Sequence, residues 1–332
     1  MPRNRIDVHT HYLGGAVARW FRSVNYIATG GIPMGDLSLW SPQAALEFMD
    51  RHEIATQILS VPIDFARNDD GAATARVTRE INEDYATLIT DHPGRFGAFT
   101  SLPLDSPDSA LAEIEYGLDV LGLDGVILTS NASGHYFGQQ FYEPILAELA
   151  RRQIPVFVHP ADCPHVDELG FGRPSSVVEF PFDTARTITN AIYTGVFQRH
   201  PGLTLILAHC GGALPTLGWR IAEHLSIARG RLDAVISAAE VATVLHGFYY
   251  ETALAGSPNS LLPTLEVTDA DHLLFGTDWP AAPEPVVDHN ITSLTSFPGL
   301  SPAELTGVDR TNATLLFPRL TRSEAAHMTG TS

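Results

Sequence analysis

The chain has 332 residues, of which 44% are hydrophobic, a mean hydropathy of +0.03 and a formal net charge of −18 at pH 7. This is the profile of a globular protein with a substantial core, and no basic stretch is present to meet the phosphates of a nucleic acid. All 20 basic residues are arginine, which excludes a Schiff base, attachment of pyridoxal phosphate, a lysine P-loop and a lysine carbamate bridging two metals.

No apolar run reaches the length of a membrane span, and no signal-peptide core follows Met1-Pro2-Arg3-Asn4-Arg5. Cys163 and Cys210 are too few for a disulfide framework, so a reduced, cytoplasmic setting is expected. Cys210 is read as a small buried thiol.

Strand-like and helix-like segments alternate along the chain. Strands are predicted over 5–9, 56–61, 96–102, 125–129, 155–159, 204–209, 248–252 and 273–277. Most are short, continuous apolar runs, as parallel strands covered on both faces require. Helix starts are marked by Ser41-Pro42, by Ser106-Pro107-Asp108 and by the capping box Ser301-Pro302-Ala303-Glu304. His92-Pro93-Gly94 and His200-Pro201-Gly202 read as helix C-termini, which makes both histidines structural. Long connections over 11–41 and 162–183 are expected to roof a pocket. This pattern predicts one (β/α)8 TIM barrel over 1–320 with long substrate-capping loops, followed by a disordered tail over 321–332.

Residues able to bind a metal or move a proton stand where the predicted strands end: His9, His11, His159, His209, Glu251 and Asp278. In a strand, residues i and i+2 face the same side, so His9 and His11 can meet one ion. His9, His11, His159 and Asp278 together offer nitrogen and oxygen donors without thiolate, which suits one Zn²⁺, with Mn²⁺ or Fe²⁺ as alternatives. His209 is read as a base or hydrogen-bond donor near the metal, against a fifth ligand or a buried structural histidine. Glu251 either orients a ligand histidine or serves packing.

With these pieces in place, the chain resembles the amidohydrolase superfamily, and within it the branch of aminocarboxymuconate-semialdehyde decarboxylase. The resemblance rests on Asp7-Val8-His9-Thr10-His11, Val158-His159-Pro160, Leu207-Ala208-His209-Cys210-Gly211-Gly212, Trp219-Arg220-Ile221 and Gly276-Thr277-Asp278-Trp279-Pro280. It implies a single metal on His9, His11, His159 and Asp278, catalytic assistance from His209, and a homodimer in which Arg220 reaches a substrate carboxylate across the interface. The branch's second substrate arginine has no convincing match, since Arg19 and Arg22 lie too early, and this favours a monocarboxylate.

The stretch Glu179-Phe180-Pro181-Phe182-Asp183-Thr184-Ala185-Arg186-Thr187 is similar to branch members that decarboxylate 6-methylsalicylate or related hydroxybenzoates. Arg186 is a candidate second contact to the anion. Tyr12, Trp20, Phe21, Tyr26, Trp40, Phe171, Phe180, Phe182 and Trp279 offer an aromatic wall for a flat ring, with Phe182 and Trp279 as candidate substrate contacts and the others divided between pocket and core.

The expected activity is therefore metal-dependent, non-oxidative decarboxylation of an ortho-hydroxybenzoate, with Asp278 delivering the proton and His209 tuning it. The alternative is hydrolysis of a lactone, ester or amide on the same barrel. A non-catalytic barrel would lack a ligand in one motif, and none is missing.

Overall fold

Val, Ile, Leu and Phe runs become strands here because both of their faces are buried. The computed structural model describes residues 3–28, 32–34, 40–63, 71–227 and 236–320; the predicted tail over 321–332 lies outside them. Eight strands form the sheet: β1 (Arg5–His11), β2 (Ile54–Ser60), β3 (Phe96–Thr100), β4 (Gly125–Thr129), β5 (Pro155–His159), β6 (Thr204–Leu207), β7 (Tyr249–Glu251) and β8 (Leu273–Leu274). Every neighbouring pair is parallel and follows chain order. The barrel closes where the segment after β8 returns to β1: Val8 N donates to Phe275 O at 3.0 Å, Asp278 N to His9 O at 2.8 Å and His11 N to Trp279 O at 2.8 Å. The chain is a (β/α)8 barrel, as its alternation predicts.

Two strands are shorter than the apolar runs suggest. β6 stops at Leu207 because His209 and Cys210 both take a left-handed backbone, φ 54° each, inside a tight turn. β8 stops at Leu274 because the residues after it turn their hydrogen bonds to β1 and to Val308.

Inside the barrel, Ile6, Val8, Ile58, Phe99, Ile127, Phe157, Ile206 and Leu274 form one buried cluster, and Phe317 and Leu320 join it from the C-terminal segment. A larger apolar layer fills the space between strands and helices. The pairing of β1 with β2 slips between Asp7 and Thr10. Strict alternation would put His9 and His11 on the face opposite Ile6 and Val8. Broken alternation of this kind re-aims side chains at barrel rims, and here both sets face inward.

The helix starts form as their residues dictate. Ser41 accepts from Ala44 N, Ser106 from Ser109 N, and Ser301 and Glu304 complete a capping box. His200 meets Glu143 at 2.9 Å ahead of β6, at the end away from the metal-ligand residues. The long connections do supply the roof: Tyr26 comes from the first, and Asp162, Pro174, Ser176 and Phe180 from the second.

The opposite end of the barrel is fastened by charge. Arg5 is 4% exposed; its Nε donates to Asp309 Oδ1 at 3.0 Å and its Nη1 to His52 O at 2.6 Å. Removing one partner of such a pair strands a buried charge. Asp309→Ala is expected to cost about 3–5 kcal/mol, read as a lower urea midpoint at fixed metal concentration. An unchanged midpoint would show that the pair does not fasten this end.

Candidate metal centre

The four predicted ligands meet. One donor atom each from His9, His11, His159 and Asp278 lies within 4.8 Å of the others, and all four residues are buried. His9 Nε2 stands 3.1 Å from His11 Nε2, and Asp278 Oδ1 lies 2.6 Å from His11 Nε2 and 3.3 Å from His9 Nε2. The outer nitrogens of two rings are fixed from behind. His9 Nδ1 donates to Glu251 Oε1 at 2.7 Å and His159 Nδ1 to Pro160 O at 2.7 Å. Each of those hydrogen bonds selects the tautomer that turns the Nε2 lone pair inward.

A divalent cation fits this arrangement. Two imidazole nitrogens at 3.1 Å with lone pairs facing each other repel unless a proton or a cation lies between them. Burial disfavours charge on His9, yet the Glu251 and Asp278 carboxylates overcome it and hold the ring at about 10. Burial pushes His11 down despite Asp278, and burial with the neighbouring imidazoles holds His159 well below its ordinary value. Burial would raise Asp278, but His9 and His11 hold it well below the usual carboxylate range. The cluster is thus ready to exchange one proton for a metal. Nitrogen and oxygen donors suit Zn²⁺ or Mn²⁺ chemistry.

Glu251 does orient a ligand histidine, and it does more. Fully buried, it binds His9 through Oε1, which also accepts from His209 N, while Oε2 accepts from Ala253 N at 2.7 Å. Gly276 makes room for it: a Cβ there would sit 2.0 Å from Glu251 Oε2 and 3.0 Å from His9 Cβ.

His209 lines the pocket with its Nδ1 on Ala253 O at 2.9 Å, and its ring centre is 4.9 Å from that of His9. The turn that carries it passes close to the pocket wall. Gly212, at φ 60°, would place a Cβ 2.6 Å from the Pro181 backbone. Asp278 also takes a left-handed backbone, φ 62°, a strained conformation of the kind that gathers at functional sites.

Asp7 is a site residue that the residue types alone did not single out. Fully buried and pushed by that burial to about 7, its carboxylate accepts from His9 N at 3.2 Å, Thr277 N at 3.0 Å, Thr277 Oγ1 at 2.7 Å and Gln57 Nε2 at 3.1 Å. It ties the end of β1 to the segment bearing Asp278. The available signal was an acid inside an apolar strand, since buried carboxylates need partners.

Above the ligands lies a pocket of about 670 Å³, walled by Pro62, Ile63, Phe180, Pro181, Leu254 and Val286 among others, with His11, His159, His209 and Asp278 also lining it. A domain model described as Amidohydrolase matches residues 6–319. The chain belongs to the amidohydrolase family. Among relatives, it is 34% identical to a 6-methylsalicylic acid decarboxylase of Aspergillus aculeatus, over 97% of this chain and 98% of that one. It is 33% identical to the decarboxylase yanB of Aspergillus niger, over 95% and 88%. The solved dihydroxybenzoic acid decarboxylase from Polaromonas, with bound manganese and the inhibitor 2-nitroresorcinol, shares its fold, with a TM-score of 0.80 at 23% identity over 95% and 97% of the chains.

In this amidohydrolase the other candidate residues fall elsewhere. Arg220 is exposed on the helix Leu214–Ile227, beside Trp219, and is not among the described pocket-lining residues. Arg186 pairs with Asp183, and its side chain is 49% exposed. Phe182 is half-exposed on the helix Glu179–Tyr193, while Phe180 enters the pocket wall. Trp279 turns away to stack on Phe48, ring centres 4.6 Å apart. Of the expected aromatic wall, Tyr26 and Phe180 line the pocket; Tyr12, Trp20, Phe21 and Trp40 are core, and Phe171 is 87% exposed.

Metal binding by the stripped protein should release about one proton at pH 8, because a cation taking His9 Nε2 displaces the proton that the ring otherwise keeps up to about 10. Affinity should rise with pH over that range. Glu251→Gln should shrink the release and weaken binding about 10–100-fold. Calorimetry in buffers of different ionisation enthalpy measures both, and a buffer-independent heat would contradict the exchange.

Proposed function

We propose that the chain is a metal-dependent, non-oxidative decarboxylase of an aromatic acid of the ortho-hydroxybenzoate type, close to 6-methylsalicylate. The observation that carries this reading is the convergence of His9, His11, His159 and Asp278 at the inner end of an apolar pocket large enough for a substituted ring. The relatives' decarboxylase activities support it. Zn²⁺ is the proposed metal and Mn²⁺ the alternative, since a barrel of the same fold holds manganese. Held by those residues, the ion would orient the carboxylate and the ortho oxygen and draw charge toward them.

The chemistry left to the protein is proton delivery. The electron pair of a breaking ring–carboxylate bond lies in the ring plane, where the π system cannot hold it. Protonating the ring carbon first lets the bond break into the recovering π system, so that CO₂ leaves and one proton is consumed. Asp278 faces the pocket and is held ionised by its imidazole neighbours. It therefore receives the proton, from solvent or from the substrate hydroxyl, and passes it to the ring carbon. His209, with Nδ1 fixed on Ala253 O and its residue lining the same pocket, supplies or steers that proton. Tyr26 and Phe180 flank the ring.

A homodimer belongs to this reading. Trp219 is 79% exposed beside Arg220, and a subunit contact at this helix would cover it. Sedimentation is expected to give twice the chain mass of 36.0 kDa, and a monomer with full activity would remove any role for Arg220 across an interface.

The decisive assay compares CO₂ release from 6-methylsalicylate and other hydroxybenzoates with hydrolysis of lactones, esters and amides. Decarboxylation should vanish on chelation and return with Zn²⁺ or Mn²⁺. Asp278→Asn should abolish it, and His209→Ala should lower kcat about 10²–10⁴-fold. Metal-loaded protein that hydrolyses a lactone and decarboxylates nothing would replace this reading with the hydrolase.

A further inference from the structure

Asp183 lies outside the metal cluster and is fully buried. Its carboxylate gathers donors from separate parts of the chain. Oδ2 accepts from Ser130 Oγ at 2.5 Å and from Asn131 Nδ2 at 2.8 Å, and Oδ1 accepts from the Tyr136 hydroxyl at 2.6 Å and from the Arg186 guanidinium. A carboxylate this deep is tolerable only with such partners. Packing alone would be served as well by an apolar residue.

The partner that matters is Ser130, which follows β4. Its backbone N donates to His159 O at 2.8 Å, and its hydroxyl oxygen accepts from Ala161 N at 2.9 Å while donating its own proton to Asp183. Ser130 therefore grips the turn His159-Pro160-Ala161 on both sides. The carbonyl in the middle of that turn, Pro160 O, receives the His159 Nδ1 proton. A continuous set of hydrogen bonds thus runs from Asp183 through Ser130 to the group that decides which way the His159 ring faces. Asp183 also sits near the start of the helix whose Phe180 and Pro181 form part of the pocket wall, and the Phe180 ring centre lies 6.2 Å from that of His159.

We propose that Asp183 is a positioning residue for His159. Through the Ser130 hydroxyl it fixes the turn that sets the tautomer and direction of this imidazole, and Arg186 is its counter-charge rather than a contact to substrate. The Ser130 hydroxyl donates toward Asp183 because the carboxylate oxygen accepts, and a lone pair of the same hydroxyl takes the Ala161 N–H. Outer partners of metal-bound histidines act in this way, orienting the ring and raising its basicity. The inference rests on the metal-binding reading of the four ligands and is independent of which reaction they serve.

The test uses the full chain, stripped and titrated with Co²⁺, whose visible absorption reports the geometry of its ligands. Affinity comes from competition with a chelator. Ser130→Ala removes the hydroxyl bridge and leaves Asp183 its bonds to Asn131, Tyr136 and Arg186, so it keeps the fold. It is expected to weaken Co²⁺ binding about 10-fold and to shift the absorption band, with Asp183→Asn weaker still, toward about 100-fold. Arg186→Gln should alter Co²⁺ affinity in the same direction and leave the KM for a hydroxybenzoate unchanged. If Asp183→Asn does not fold, Ser130→Ala decides. Unaltered affinity and spectrum in Ser130→Ala would overturn the proposal, as would a large rise in KM with normal Co²⁺ binding in Arg186→Gln. Absence of Co²⁺ binding by the unaltered protein would instead remove the metal reading itself.

Discussion

The seam between β1 and the segment after β8 is where barrel and site become one problem. Closing the sheet requires β1 to find partners on its second side, and the segment 275–279 provides them. The same hydrogen bonds bring His9 and His11 against Asp278, which lies 267 residues beyond His11 in sequence. Asp7 secures the seam from within, because one carboxylate accepts from the backbone of both sides and from Gln57 on β2. Loss of closure would therefore scatter the ligands before it exposed much core. A barrel has no edge strand to spare, and here the pairing that closes it is the one that carries the chemistry.

Charge explains why the arrangement holds. Asp7, Glu251 and Asp278 are three buried acids close to one another, in a chain that is already strongly acidic. Asp7 is pushed up to about 7 by its burial, and the neutral donors aimed at its carboxylate work against that push. Glu251 and Asp278 are relieved by His9, which sits between them and whose positive charge both carboxylates favour. A divalent cation held by His9, His11, His159 and Asp278 would offset the acids more completely than a shared proton, because it carries two charges.

Much of this was legible in residue types. Imidazoles and carboxylates at the ends of apolar runs are costly to bury, so their recurrence at strand ends pointed to one site, and the four ligands meet as expected. Other features depend on geometry finer than a pattern of types. The slip in β1 that turns His9 and His11 inward leaves no mark in composition. Phe180 and Phe182 are equivalent as letters, but two residues along a helix is a rotation of about 200°, which sends one ring to the pocket and the other to the surface. Trp279 follows a left-handed Asp278, and that local bend carries its ring back to Phe48. Arg186, a candidate anion contact by its place on that helix, is paired in the structure with the chain's own Asp183.

The composition of the pocket wall bears on what enters it. Among its described lining residues none is arginine, the acids are Asp162 and Asp278, and most of the remainder are proline, alanine, leucine, isoleucine or valine. One substrate carboxylate can be matched by the cation together with the imidazoles around it. Among the described lining residues, a second carboxylate on the same ring would face apolar side chains or another acid, and burial there would cost it hydration. Alkyl groups on the ring gain from the same surface, at roughly 25 cal/mol per Å² buried. Among the described lining residues, the wall thus offers a ring substituent mainly apolar side chains, and nitrogen donors gather only where the metal ligands converge.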